Sequence, residues 1–244
     1  MHICARVLGK GYDDGMNDSA RQLVFELPHR PALGLEDFLV SKSNEAAVAL
    51  IDRWPDWPAG AAVIAGRAGS GKSHLANVWR LKSGAEIVRA DAFDAARVAE
   101  LAQHRALVVE DVPAVRDQAA VFHLLNLVRE QRLALLVTSP VAPGDLQLTL
   151  PDLTSRLKAL PLAVIEPPDD ALLRAVLVKL FADRQIPVDP QILSYLLLRM
   201  ERSMDAARTV VAEIDRQALT YQKGVTRAIT ALALEKLGIV TKVQ

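Results

Sequence analysis

The octapeptide GRAGSGKS at residues 66–73 constrains the fold of this chain more than any other feature of its sequence. It fits the pattern G-x-x-x-x-G-K-[ST] without a mismatch. An apolar run precedes it at residues 61–65, and a helical pattern begins within it at residue 72. The alternative, a chance glycine-rich turn, does not account for these flanking patterns. The sequence therefore predicts a phosphate-binding loop between a β-strand and an α-helix.

The residue types in this loop suit a nucleoside di- or triphosphate. Glycines let backbone N–H groups close around phosphate oxygens, Lys72 reaches the terminal phosphates as a positive charge, and Ser73 offers a hydroxyl to Mg²⁺. The nucleotide-binding residues predicted within the loop are Gly66, Ala68, Gly69, Ser70, Gly71, Lys72 and Ser73.

Short apolar runs alternate with longer helical patterns between about residues 61 and 165, which is typical of a parallel sheet with crossover helices. The five predicted strands span residues 61–65, 86–90, 106–109, 133–138 and 162–165. Helical spacing occurs at residues 44–53, 72–81, 92–103 and 119–131. The expected fold class is α/β, a P-loop domain with a five-stranded parallel sheet.

Two consecutive prolines, Pro167 and Pro168, end this alternation, because proline cannot continue a strand or the interior of a helix. The pattern beyond them is helical throughout, at residues 169–185, 190–201, 203–221 and 226–237. We therefore predict a nucleotide-binding base domain at residues 29–167 and a small C-terminal helical lid domain at residues 168–244.

The first 28 residues have a different character. Residues 1–21 are expected to form a flexible leader, and Met16 is a candidate for the natural start. In residues 22–28, Leu23, Phe25 and Leu27 alternate, so an extended chain would point them to one side. This pattern fits either an ordinary first strand or a peptide that docks into a groove of another protein.

Composition and charge exclude several classes of protein. The chain has 29 acidic and 29 basic residues, whereas a protein dedicated to holding nucleic acid carries a basic excess. No apolar run approaches the roughly 20 residues of a membrane helix, and the single Cys4 cannot form an internal disulfide. Neither zinc-binding spacing nor a nucleophile motif is present. A cytoplasmic protein is the simplest expectation.

Acidic and hydroxyl residues follow two of the predicted strands. Glu110 and Asp111 end the third strand, where carboxylates near the phosphate loop can serve Mg²⁺ and an attacking water. We assign Glu110 to the metal, with Ser73, and Asp111 to the water; simple capping of the strand is the alternative. Thr138 or Ser139, at the end of the fourth strand, is placed to face the γ-phosphate or to have no catalytic role.

In this order, the motifs resemble those of the AAA+ ATPases of the DnaA kind, the DnaA/Hda subfamily, over residues 22–237. The matching pieces include residues 35–44, the loop followed by His74, the strand ending at Asp111, Ser155-Arg156 and Ile165-Glu166-Pro167-Pro168. The resemblance implies ADP or ATP as the nucleotide and adds Asn44 and His74 to its expected contacts.

The same resemblance assigns roles to residues outside the loop. Arg156 matches the arginine finger, which would act on a neighbouring molecule of DnaA, and Gln22, Leu23, Phe25 and Leu27 match a peptide that binds the sliding clamp. The lid matches less well, because the position of the family's sensor arginine falls at Asp205 or Ala206. Arg208, about one turn later, is the candidate for that role.

These features lead to three hypotheses. The first is a regulatory protein that docks on the sliding clamp (the β subunit of DNA polymerase III) and stimulates ATP hydrolysis by DnaA, with weak intrinsic activity. The second is a self-contained ATPase or loader that acts on DNA as a homo-oligomer. The third is a factor that bridges the clamp and a partner without an arginine finger. The neutral charge favours little direct DNA binding.

Overall fold

The structure, a computed structural model, describes residues 39–239. The predicted leader and clamp-binding peptide, with Gln22, Leu23, Phe25 and Leu27, lie outside this range, as do residues 240–244. Within residues 39–239, no helix is both long and apolar enough to cross a membrane.

Five parallel strands form one sheet in the described part of the chain, as predicted. They are β1 (Ala61–Gly66), β2 (Glu86–Arg89), β3 (Ala106–Glu110), β4 (Ala134–Ser139) and β5 (Leu162–Ile165). Their spatial order is β2-β3-β4-β1-β5, so β1 lies between β4 and β5. The carboxyl ends of β1, β3 and β4 therefore meet at one edge of the sheet, which is where a ligand site forms in such folds.

The α-helices of the base domain follow the predicted pattern with two differences. They are α1 (Glu45–Asp52), α2 (Lys72–Ser83), α3 (Ala95–Leu101), α4 (Gln118–Gln131) and α5 (Pro151–Lys158). The predicted helix at residues 92–103 was too long, because a 3₁₀ turn (Ala90–Ala92) precedes α3, and Asp94 caps it by accepting a hydrogen bond from the Arg97 amide. Helix α5 was missed; it spans two turns and buries only Leu153 and Leu157.

In its described part, up to residue 239, the lid has four helices close to their predicted positions. They are α6 (Asp170–Ala182), α7 (Pro190–Leu197), α8 (Met204–Tyr221) and α9 (Arg227–Lys236). Side-chain oxygens of Asp169, Asp189, Ser203 and Thr226 cap their amino ends. Such caps satisfy backbone amides that the helix itself leaves unpaired.

Separate apolar cores stabilise the sheet and the lid. Alternate residues of β3 bury Leu107 and Val109 against α3, α4 and α5 on one face of the sheet, and Val108 against α1 and α2 on the other. The lid has its own core, which includes Phe181, Leu196 and Val211. Because each part is stabilised by its own core, the surface where the two parts meet is not needed for a shared core. Ligand sites often form at such a boundary.

Candidate nucleotide site

The phosphate-binding loop begins at Gly66, the last residue of β1. A Cβ atom at this position would lie 2.7 Å from the Ser70 hydroxyl oxygen and 2.8 Å from the carbonyl oxygen of Ile165, so only glycine fits there. Gly71 then adopts a φ of 105° immediately before α2 begins at Lys72. The loop thus bends tightly and directs the amino end of a 12-residue helix into the site.

Lys72 is folded into the centre of the loop. Its Nζ donates hydrogen bonds to the carbonyl oxygens of Gly66 at 2.6 Å and Arg67 at 2.8 Å. An ammonium group has three donors, so one N–H remains for a ligand oxygen. Burial lowers the pKa of Lys72 below its ordinary value. The carboxylates that oppose this shift are, in order of effect, Asp111, Asp205 and Glu110.

The fit of the loop to a phosphate group rests on a buried donor as well as on shape. The Ser70 hydroxyl is buried and, among the described residues, has no hydrogen-bond partner. A buried polar group without a partner is costly, and a phosphate oxygen would satisfy it. The loop therefore combines a cradle of glycines, an available hydroxyl and a positive charge, which together fit a nucleoside di- or triphosphate.

One cavity beside the loop lies between the base domain and the lid. This lid-side cavity has a volume of about 230 Å³, and the predicted contacts Asn44 and His74 line it. Its remaining wall is largely apolar and includes Leu39, Leu172, Val176 and Leu180. A cavity with apolar walls next to a phosphate site suits a flat aromatic base.

The side chain of Asn44 shapes this cavity by binding the backbone before it. Its side-chain nitrogen donates a hydrogen bond of 2.9 Å to the carbonyl oxygen of Leu39, and its side-chain oxygen accepts one of 2.9 Å from the Ser41 backbone amide. The side chain is 4% exposed. Asn44 therefore holds the segment that carries Leu39 against the cavity.

A second cavity lies over the carboxyl ends of the strands. This strand-side cavity has a volume of about 380 Å³, and the loop residues Ala68, Gly69, Lys72 and Ser73 line it together with the predicted Glu110, Asp111 and Thr138. Arg89 and Asp91 also line it and form a salt bridge of 3.0 Å. The sequence did not single out these two residues, because their proximity depends on the pairing of β2 with β3, which sets Arg89 opposite Glu110.

Asp111 has an unusual backbone conformation that Thr138 supports. Its φ of 60° and ψ of 58° lie in the left-handed region, just after β3. The Asp111 amide donates a hydrogen bond of 3.1 Å to the Thr138 hydroxyl oxygen. Ser139, the other residue considered at this position, is fully buried and donates its hydroxyl to the Val141 carbonyl oxygen instead. Thr138 is therefore the residue that faces the site.

The predicted metal ligands lie on the strand-side cavity but do not form a complete set. Among residues 39–239, no group of three or more His, Cys, Asp or Glu side chains is arranged to hold a metal ion. Ser73 and Glu110 could hold Mg²⁺ together with phosphate oxygens and water, which is how this ion is usually bound. The residues fit an Mg²⁺ ion bound together with a nucleotide, whose phosphate oxygens would add ligands.

The lid contacts the loop through the first turn of α8. The Met204 amide donates a hydrogen bond of 2.9 Å to the carbonyl oxygen of Gly69. Asp205 follows, and its Oδ1 forms a salt bridge of 2.7 Å with Nη1 of Arg208. Arg208, the candidate sensor, lines the lid-side cavity and a separate space between the loop and α8.

Arg156 is not among the residues that line these cavities. It lies in the last turn of α5, exposed, with its guanidinium carbon 5.8 Å from the centre of the Phe122 ring on α4. The structure therefore brings together the loop, Glu110, Asp111, Thr138 and Arg208, and places Arg156 elsewhere.

Comparison with known proteins identifies solved structures of the same fold. Domain III of the replication initiation protein DnaA from Thermotoga maritima superposes with a TM-score of 0.70 at 18% identity, covering 86% of this chain and 98% of that one. AMPPCP-bound DnaA from Aquifex aeolicus gives 0.66 at 19% identity, with 79% and 68% covered. The Thermotoga maritima RuvB Holliday junction branch migration motor gives 0.64 at 16% identity, with 82% and 68% covered.

No protein-family model matches the sequence. At these identities the likeness concerns the fold, which agrees with the predicted arrangement of a five-stranded parallel sheet followed by a helical lid. The chain shares its fold with DnaA domain III and RuvB.

Proposed function

We propose that this chain is an Hda-like regulator of chromosome replication, which docks on the sliding clamp and stimulates ATP hydrolysis by DnaA. The observation that carries the proposal is the exposure of Arg156, away from the cavities at the chain's own loop. An arginine placed there is available to a nucleotide bound by a neighbouring molecule. DnaA domain III shares the fold of this chain, and an arginine finger can be supplied in trans by a second protein, so DnaA is a suitable neighbour.

The chain's own site is proposed to hold ADP or ATP. Solved DnaA structures contain AMPPCP, and the loop described above suits the same kind of ligand. Lys72, Ser70 and the loop amides would bind the phosphates, Ser73 and Glu110 would hold Mg²⁺, and Asn44 and His74 would border the base and ribose. The phosphates of a bound nucleotide would carry negative charge into the space between the loop and the lid, where both could bind it.

The strand-side residues would control hydrolysis in this site. Asp111 would orient a water molecule, and Thr138 fixes the backbone from which the Asp111 carboxylate projects. We expect intrinsic turnover to be weak, because the order Glu110-Asp111 reverses the usual placement of metal ligand and water-positioning acid. The hydrolysis that matters would then take place in DnaA.

The test is DnaA ATPase activity in the presence of DNA-loaded clamp. Arg156→Ala should abolish the stimulation, because an arginine finger contributes about 10³- to 10⁵-fold to such reactions. Lys158→Ala is the matched control, since Lys158 is an exposed cation in the same turn of α5. Full stimulation by the Arg156→Ala protein would refute the finger assignment and favour a bridging factor without a finger.

A second candidate function is a self-contained ATPase that acts on DNA as a homo-oligomer. The observation in its favour is that Lys72, Asp111 and Thr138 come together in one chain, so that Arg156 could serve a second copy. RuvB, a branch migration motor, shares the fold. Robust DNA-stimulated turnover by the isolated protein, lost in Arg156→Ala, would support this function over the first.

A further inference from the structure

A carboxylate lies against the phosphate-binding loop where an anion is expected to bind. The Asp205 Oδ2 atom is 3.0 Å from the position that a Cβ atom would occupy on Gly69. The hydrogen bond from the Met204 amide to the Gly69 carbonyl oxygen fixes the neighbouring backbone at this distance. Asp205 is thus held beside the loop by main-chain contact and not only by its own flexible side chain.

Two cations that are placed to bind phosphate interact with this carboxylate. Arg208 forms a salt bridge of 2.7 Å with Asp205, and both side chains line the space of about 310 Å³ beside the loop. Lys72 and Ser73 line the same space. The negative charge of Asp205 also favours the protonated form of Lys72, so it acts on both cations.

A phosphate that enters the loop would be repelled by the Asp205 carboxylate and would compete with it for the Arg208 guanidinium. Arginine binds carboxylates and phosphates with the same fork of N–H donors, so one anion can replace the other. We propose that Asp205 is an internal competitor of the nucleotide: its carboxylate occupies Arg208, and nucleotide binding transfers Arg208 from Asp205 to a phosphate. This proposal rests on the nucleotide binding assigned to the loop above.

The proposal predicts an increase in affinity when the competitor is removed. Asp205→Asn should tighten the binding of both ADP and ATP about twofold to fivefold, the scale of one largely exposed charge interaction. Arg208→Ala should weaken binding, because the phosphate loses a charged donor. In the Arg208→Ala background, Asp205→Asn should give a smaller gain, since only the relief of direct repulsion between the Asp205 carboxylate and the phosphate remains.

The lid provides a closely matched control in Asp170. Like Asp205, it lies in the first turn of a lid helix and is 62% exposed, against 63% for Asp205. It also pairs with an arginine, at 2.9 Å to Arg202. Asp170 is not among the residues that line the spaces at the loop. Asp170→Asn therefore removes the same charge from the same position in a helix as Asp205→Asn does, but away from the site.

The experiment is an equilibrium titration of the full chain with fluorescently labelled ADP and, separately, labelled ATP, with thermal unfolding as a check on folding. Tighter binding by Asp205→Asn and by Asp205→Ala, with Asp170→Asn unchanged, is the expected result. Equal or weaker binding by both folded Asp205 variants, or the same gain in Asp170→Asn, would overturn the proposal. If the wild-type chain binds neither nucleotide, the proposed function itself fails, which is a separate outcome.

Discussion

The Thr138 hydroxyl accepts a hydrogen bond of 3.1 Å from the backbone amide of Asp111, across two neighbouring strands. Asp111 is held there in the left-handed region of backbone conformation, which is uncommon for residues other than glycine, although aspartate adopts it more readily than most. Thr138 therefore acts on the site through Asp111, because it fixes the backbone from which the Asp111 side chain projects.

Thr138→Val removes this hydroxyl while keeping the shape of the side chain. Thr138 is 2% exposed, so the Asp111 amide would lose a buried partner, and we expect the free energy of unfolding to fall by about 1–2 kcal/mol. Urea denaturation measures this change. Thr154→Val is the control, because the hydroxyl of Thr154, on α5, donates only a long contact of 3.5 Å to the carbonyl oxygen of Leu150, just before that helix. Equal losses for the two variants would contradict the assignment.

Lys72→Ala should weaken nucleotide binding about tenfold to a hundredfold, since it removes a charge-assisted hydrogen bond to phosphate. Titration with labelled nucleotide measures the loss. Lys82→Ala, at the other end of the same helix α2, changes the same charge outside the site and should bind like the wild type. Unchanged binding by Lys72→Ala would show that this loop does not bind nucleotide.

Phe122 lies beneath the Arg156 guanidinium and should limit its motion. Phe122→Leu removes the aromatic face, which is worth about 0.5–1 kcal/mol at an exposed site, so stimulation of DnaA should fall about twofold to fivefold. Phe122→Tyr keeps the ring and should retain the stimulation. If Phe122→Tyr reduced the stimulation as much as Phe122→Leu, the effect would come from packing, and the charge distribution of the ring would have no role.

The predicted clamp-binding peptide lies outside the described residues, and its alternating pattern can be tested by mutation. Gln22→Ala with Phe25→Ala should abolish binding to the sliding clamp, measured by surface plasmon resonance, because both residues belong to the matching motif. Val24→Ala with Glu26→Ala changes the intervening residues and should leave binding intact. Equal affinity of both double variants and the wild type would mean that this segment has another role.

The sequence predicted the site best where its geometry depends on residues that are close together in the chain. The loop at Gly66–Ser73 and the ends of β3 and β4 could be predicted because glycine geometry, apolar runs and proline breaks are local signals. The exact conformation of Asp111 could not, since the Thr138 hydroxyl that supports it is 27 residues away.

Helix α5 shows a different reason for failure. It carries Arg156 but spans two turns, so its buried face consists of Leu153 and Leu157 alone, too few to establish a helical period. Pro151 at its first turn was the available signal. Asp205 illustrates a third case: its identity was plain in the sequence, but its contact with Gly69 depends on how the lid meets the base domain.

The link between Gly69 and Met204 joins main-chain atoms only. Substitution can alter every side chain around such a contact and still leave its donor and acceptor in place. Lid placement and electrostatic tuning of the pocket are therefore separable traits. A lineage could exchange an arginine for an aspartate beside the phosphates, and so retune its response to nucleotide, without redesigning how the two halves of the molecule meet.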